Sequence, residues 1–230
     1  MRKLQQKDKA ASPHNRITAA AYIFGCATAL FLGTLPTLSR AQPAPPPALM
    51  AFEHAWANVS AYSTTITTFE RKGTQVQNWV LQFSFRKTPA NATVYFVKGK
   101  DKGATLVWSG GKTVVGHHEG IIAAFKRTYL LHDPAATTIR GSSIDELSFA
   151  AMLAHSKSTP GRISQGSGPT ILGIRTTAVT LIPISSVADA GLTREVVDIS
   201  VLNSLPLRAL GYAGNTLVRQ VDFSNIKLQR

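Results

Sequence analysis

Trp79-Val80-Leu81-Gln82-Phe83-Ser84-Phe85-Arg86 alternates large apolar side chains with mostly polar ones. Successive side chains of a β-strand point to opposite faces, so Trp79, Leu81, Phe83 and Phe85 share one face. An antiparallel sheet with one buried side produces this pattern. Pro89 ends the run. Downstream, residues 93–98 (TVYFVK) and 104–108 (ATLVW) are further β-rich stretches, and Ser109-Gly110-Gly111 supplies a turn into residues 112–115, which predicts a hairpin. Upstream, residues 63–70 (STTITTFE) are rich in β-branched residues and read as a strand.

Ahead of that strand, Leu49, Phe52, Trp56 and Val59 recur at spacings of three and four, one stripe of a helix running from Ala48 to about Tyr62. A second helix is expected from Ser143 to about His155. Ser143 and Glu146 match a capping box, and Ile144, Leu147, Ala151 and Ala154 continue on one stripe. Residues 121–131 leave helix and strand open. Residues 156–169 (SKSTPGRISQGSGP) are polar and rich in Gly, Ser and Pro, which predicts a loop. Four more strands follow, at 171–183, 194–202, 207–213 and 217–228, with Gly214-Asn215 turning the last pair. Many successive strands with two helices describe an α+β domain with an antiparallel sheet.

The chain has 230 residues, 25 Lys+Arg against 12 Asp+Glu and a formal charge of +13. It is 44% hydrophobic and 16% charged, against about 25% charged in an average soluble domain. One cysteine excludes a disulfide scaffold, and the apolar content excludes a disordered polar chain. The first forty-one residues hold six bases and one acid. An uncharged run from Ile17 to Ser39 follows the basic start, and Ser39-Arg40-Ala41 is a small-x-small site. That is the pattern of a secretory signal, cleaved after Ala41. The other reading is an uncleaved inner-membrane anchor. Residues 42–47 (QPAPPP) form a stiff linker, and 48–230 form one domain. Without residues 1–41 the chain keeps 19 bases and 11 acids, or +8. An exported domain of that charge meets anionic lipid head groups, and nucleic acid is not an expected partner.

No nucleophile elbow, zinc-protease motif, P-loop or dinucleotide fingerprint is present, so no enzyme, cofactor or metal ligand is expected. His117-His118-Glu119 reads as a polar loop tip and His132-Asp133-Pro134 as a turn. What stands out is apolar bulk. Trp79, Leu81, Phe83, Phe85, Tyr95, Val97 and Trp108 could line one face of a curved sheet, with Leu147 and Ala151 of the second helix opposite. Two readings stand open: a core filled by the protein's own helices, or a cavity for an acyl chain. Arg86 and Lys87 are placed at the rim, to meet an acidic head group, with a structural pairing to a carboxylate as the other reading of Arg86.

In this order the elements resemble the LolA/LolB-like superfamily of periplasmic lipoprotein and lipid carriers. The likeness is carried by Phe83-Ser84-Phe85-Arg86-Lys87-Thr88-Pro89, Trp108-Ser109-Gly110-Gly111-Lys112, Leu181-Ile182-Pro183, Leu205-Pro206-Leu207-Arg208 and Phe223-Ser224-Asn225-Ile226-Lys227. The resemblance implies a single strongly curved antiparallel sheet, an incomplete barrel, with helices covering its concave face. It implies a periplasmic, non-enzymatic carrier of lipid or lipoprotein acyl chains, working with an inner-membrane exporter and an outer-membrane acceptor. On that reading residues 156–169 are either a gate or an ordinary connection. A different class of function, an envelope signalling or assembly module gripping a protein partner with the same sheet, predicts a filled core.

Overall fold

The computed structural model describes residues 44–119, 126–187 and 189–230. The proposed signal, the first part of the linker and the start of the 121–131 stretch lie outside the described residues. Within them are two α-helices, α1 (Pro47–Ala57) and α2 (Phe149–Ser158). The strands are β1 (Ala61–Lys72), β2 (Gln75–Arg86), β3 (Asn91–Lys98), β4 (Ala104–Trp108), β5 (Thr113–His118), β6 (Arg127–Leu130), β7 (Gly161–Ile171), β8 (Ile174–Pro183), β9 (Arg194–Ser200), β10 (Pro206–Ala213) and β11 (Thr216–Gln229).

All eleven strands belong to one antiparallel sheet in the order β6-β5-β4-β3-β2-β1-β11-β10-β9-β8-β7. The sheet is two meanders, β1 to β6 and β7 to β11, joined where β1 pairs with β11. It is not closed into a barrel, as the expected incomplete barrel requires. Register shifts at Ser63/Thr65, Val80/Leu81, Gly211/Tyr212 and Pro206/Arg208 mark bulges, and bulges bend a strand and strengthen its twist. Because β6 and β7 are the two edges, the chain between them must cross the whole sheet. It is fastened on the way. Ile139 N donates to Gln77 Oε1 at 3.0 Å, Arg140 N to Glu70 Oε2 at 3.2 Å, and Phe149 N to Tyr62 Oη at 3.1 Å. Tyr62, Glu70 and Gln77 all belong to the sheet face that carries Leu81 and Phe83.

The expected strands are present, with several boundaries moved. Helix α1 buries Leu49, Phe52 and Trp56 as its stripe implies. It starts at Pro47, since proline suits the first helical position, and stops at Ala57 instead of near Tyr62. Asn58 Nδ2 donates back to the His54 carbonyl at 3.1 Å, and Tyr62 is already in β1. The capping box is half formed. Ser143 N donates to Glu146 Oε2 at 3.3 Å, but the Ser143 hydroxyl goes to Asp145 Oδ1 at 2.5 Å. It starts only a 3-10 turn, Asp145–Leu147. The helix proper is capped by Ser148, whose Oγ accepts from Ala151 N at 3.1 Å. The loop expected over 156–169 is a further correction. Residues 156–158 complete α2, and from Gly161 the chain is β7, paired with β8 through to Ile171–Ile174. An edge strand with both faces mostly exposed needs no apolar alternation, and Pro169 sits at its bulge, where a missing N–H costs no ladder bond. A free gate is thereby excluded over most of that stretch.

Removing the Tyr62 hydroxyl gives a direct measure of how α2 is held. In Tyr62→Phe the Phe149 N–H, buried at the start of α2, loses its acceptor. An unpaired buried donor costs about 1–3 kcal/mol, so the urea midpoint of the variant should fall accordingly with its m-value unchanged.

Candidate binding cavity

The concave face is built from cross-strand rows. Phe85, Phe83 and Leu81 of β2 lie opposite Tyr62, Thr64 and Ile66 of β1 on one side and Ala92, Val94 and Phe96 of β3 on the other. Beyond β1 the rows continue into β11, where Ile66 faces Phe223 and Thr68 faces Val221.

One end of this face is filled. Phe149 of α2 stacks on Tyr62 with ring centroids 4.4 Å apart and planes 3° from parallel. It also meets Phe52 and Trp56 of α1 edge-on at 6.2 and 6.0 Å, and Phe223 at 5.0 Å. Burial drives the Tyr62 phenol well above its ordinary pKa, so it stays neutral. Phe83 and Phe85 belong to this aromatic core.

Towards the other end the elements part. A hollow of about 600 Å³ lies between β2–β5 and the crossing segment, its apolar wall formed by Trp79, Leu81, Val94, Phe96, Leu106 and Leu147. Lys100, Asp101, His117, His118 and Arg127 are also among its lining residues. A smaller hollow of about 200 Å³ lies between α2 and the second meander, against Ile163, Val179, Leu181, Val197 and Val221. Both are bordered by Thr138, Ser142 and Leu147, so they are neighbours beneath the crossing segment.

The structure sorts the residues singled out in the sequence. Trp79 and Leu81 line the larger hollow, Ala151 the smaller one, and Leu147 both. Trp108 is half-buried against the core, its indole N–H donating to the Gly111 carbonyl at 2.7 Å. Tyr95 and Val97 are on the opposite face, because register puts Phe96 beside Leu81 and Val94 beside Phe83. Tyr95 instead donates its hydroxyl to Glu119 at 3.1 Å. In TVYFVK each alternate set holds two apolar residues, Tyr95 and Val97 or Val94 and Phe96, and only the register decides between them. Arg86 and Lys87 lie at the filled end. The Lys87 ammonium donates to the Trp56 carbonyl and sits 4.1 Å from the Trp56 ring centroid, and burial lowers its pKa. This lysine caps the end of α1, and the charges around the larger hollow are other residues.

A polar group borders the smaller hollow, and sequence reasoning did not find it. Arg219 of β11 ion-pairs with Glu195 of β9, reaching across Gly211 of β10, which pairs with both. A Cβ on Gly211 would stand 3.3 Å from the Arg219 Cβ and 3.1 Å from the Leu192 methyls, so a side chain there would crowd the bridge. His155 Nε2 lies 2.5 Å from Glu195 Oε1 and 3.4 Å from Asp189 Oδ1. The hydrogen bond with Glu195 holds the imidazole above its usual pKa. Burial pushes the Asp189 carboxyl up to about 6. Burial also acts upward on Glu195, but its bonds to His155 and Arg219 outweigh that and leave it below the usual range. These four residues come from α2, the β8–β9 connection, β9 and β11, so no local motif joins them.

No protein-family model matches the chain, and no curated protein matches it significantly. Solved structures do. An uncharacterised conserved protein from Thermus thermophilus superposes with a TM-score of 0.50 at 9% identity, over 80% of this chain and 86% of that one. The lipoprotein LppX of Mycobacterium tuberculosis gives 0.47 at 15% identity, over 80% and 96%. A putative outer membrane lipoprotein-sorting protein domain from Vibrio parahaemolyticus gives 0.42 at 11%, over 79% and 92%. At 9% identity the likeness to the Thermus thermophilus protein is one of fold alone.

Proposed function

We propose that the protein is an exported, non-enzymatic binder of acyl chains, free or attached to a lipoprotein, acting in the periplasm. The observation that carries this reading is the larger hollow. Its volume of about 600 Å³ lies within the range of about 300–1,000 Å³ typical of small-molecule sites. Its wall is apolar and aromatic, as a site for an alkyl chain requires. Burying a sixteen-carbon chain gains about 0.8 kcal/mol per methylene, roughly 12 kcal/mol in all, before ordering costs. The hollow also favours this reading over a module that binds a protein partner through the same sheet, which predicts a filled core. The basic residues at the hollow, Lys100 and Arg127 against Asp101, with the imidazole N–H groups of His117 and His118 beside them, suit an anionic head group better than Arg86 and Lys87 do. An inner-membrane exporter and an outer-membrane acceptor belong to this proposal as partners.

Protein purified without detergent should yield extractable lipid, and the delipidated protein should bind a fluorescent fatty acid with saturation at one chain per molecule. Trp79, in the wall of the hollow, supplies an internal reporter through its fluorescence. Absence of both lipid and fatty-acid binding would sink the carrier reading.

A further inference from the structure

His155 is in the last turn of α2, Asp189 in the β8–β9 connection and Glu195 in β9. Their nearest ligand-type atoms all lie within 4.8 Å of one another. Asp189 and Glu195 are buried, while the His155 side chain is 40% exposed and offers a route from solvent. Two further observations point to a ligand here. Asp189 Oδ2 is fully buried and has no hydrogen-bond partner, a state that native proteins rarely leave without a water or an ion. The other two residues are each held by an outer partner on the atom that faces away. His155 Nδ1 lies 3.2 Å from Thr159 Oγ1, which leaves Nε2 for the carboxylates. Arg219 takes Glu195 Oε2, which leaves Oε1. Outer partners of this kind fix the tautomer and orientation of metal ligands.

We propose that His155 Nε2, Asp189 and Glu195 Oε1 form a binding site for a divalent first-row transition ion, with zinc the best match. One imidazole with two carboxylates suits that class better than calcium or magnesium, which take oxygen ligands throughout. Zinc bonds of about 2.0–2.2 Å in tetrahedral geometry set ligand atoms roughly 3.4 Å apart. The His155–Asp189 separation of 3.4 Å already meets that spacing. Glu195, 2.5 Å from His155, has to retreat by roughly 1 Å to meet the same spacing. Three protein ligands leave the fourth position to water. A filled site ties the end of α2 to β9, and α2 is the element that closes the smaller hollow through Ala151 and Met152.

The test is calorimetric titration of the chelator-stripped protein with zinc chloride at neutral pH. One tightly bound zinc per chain is expected, with a raised melting temperature. Asp189→Asn should bind zinc at least about tenfold more weakly while melting in chelator no lower than the wild type, because the amide removes a buried charge whose Oδ2 has no partner. If that variant does not fold, Thr159→Val gives the second reading. It leaves every ligand in place but frees Nδ1, and about a tenfold loss is expected. No zinc binding by the wild type, or an unchanged affinity in the folded variants, overturns the site.

Discussion

Phe149→Ala should lower the stability of the protein by about 3–5 kcal/mol, the loss typical of an aromatic side chain removed from a core that cannot collapse. Phe149 is completely buried. Its ring touches Tyr62 of β1, Phe52 and Trp56 of α1, and Phe223 of β11. Those neighbours are fixed by the strand ladder and by α1, so little can move into the space. The damage also spreads by geometry. Phe149 begins α2 and holds both helices against the sheet, and aromatic pairs of this kind are worth about 0.5–1.5 kcal/mol each beyond their buried area. A fall in melting temperature of roughly 10 °C is expected for a domain of this size. Leu130→Ala, at an exposed leucine, is the control and should stay within about 0.5 kcal/mol. A Phe149→Ala variant as stable as the wild type would show that the aromatic core does not hold the helices.

Ala104→Trp should weaken binding of a sixteen-carbon fatty acid by about fifty-fold and leave the fold intact. Ala104 lines the larger hollow from the start of β4, where it pairs with His118. An indole there projects into open space and displaces about three methylenes of a bound chain. At about 0.8 kcal/mol each the loss is roughly 2.4 kcal/mol, and every 1.4 kcal/mol is about tenfold in affinity. Fluorescent fatty-acid titration measures it, with circular dichroism checking the fold. Ala151→Leu, which fills only the smaller hollow, should leave that affinity near the wild-type value. The reverse pattern would move the chain to the smaller hollow and refute the site assignment, although not the carrier reading itself.

Most strands of the two meanders, all but β6 and β7, could be read from the sequence because they carry local signals. Trp79, Leu81, Phe83 and Phe85 alternate cleanly, and 104–108 is bounded by glycines on both sides. β7 carried no such signal. With Gly166, Gly168 and Pro169 and two solvent-facing sides, it is a strand only because β8 is there to pair with it. The cavity wall was half legible. Trp79, Leu81, Leu147 and Ala151 line the hollows, whereas the assignment of Tyr95 and Val97 failed on a parity that depends on the β2–β3 register. Arg86 and Lys87 follow the apolar run in sequence, but α1 folds over that end, where Lys87 bonds to the Trp56 carbonyl, and neither residue lines the larger hollow. The His155, Asp189, Glu195 and Arg219 group is a product of tertiary structure alone.

The pairing of β1 with β11 sets the order in which this molecule can come together. Ala61 lies beside Gln229, so the strands at the middle of the sheet are the first and last of the domain to be made. Each meander can zip as a series of local hairpins, but the seam between them closes a loop of almost the whole domain. Such long-range contacts form late and slow folding. Until they form, Phe223 is missing from the cluster around Phe149, and both half-sheets expose an unpaired inner edge. A chain stopped before Thr216 would keep those edges open and be prone to association.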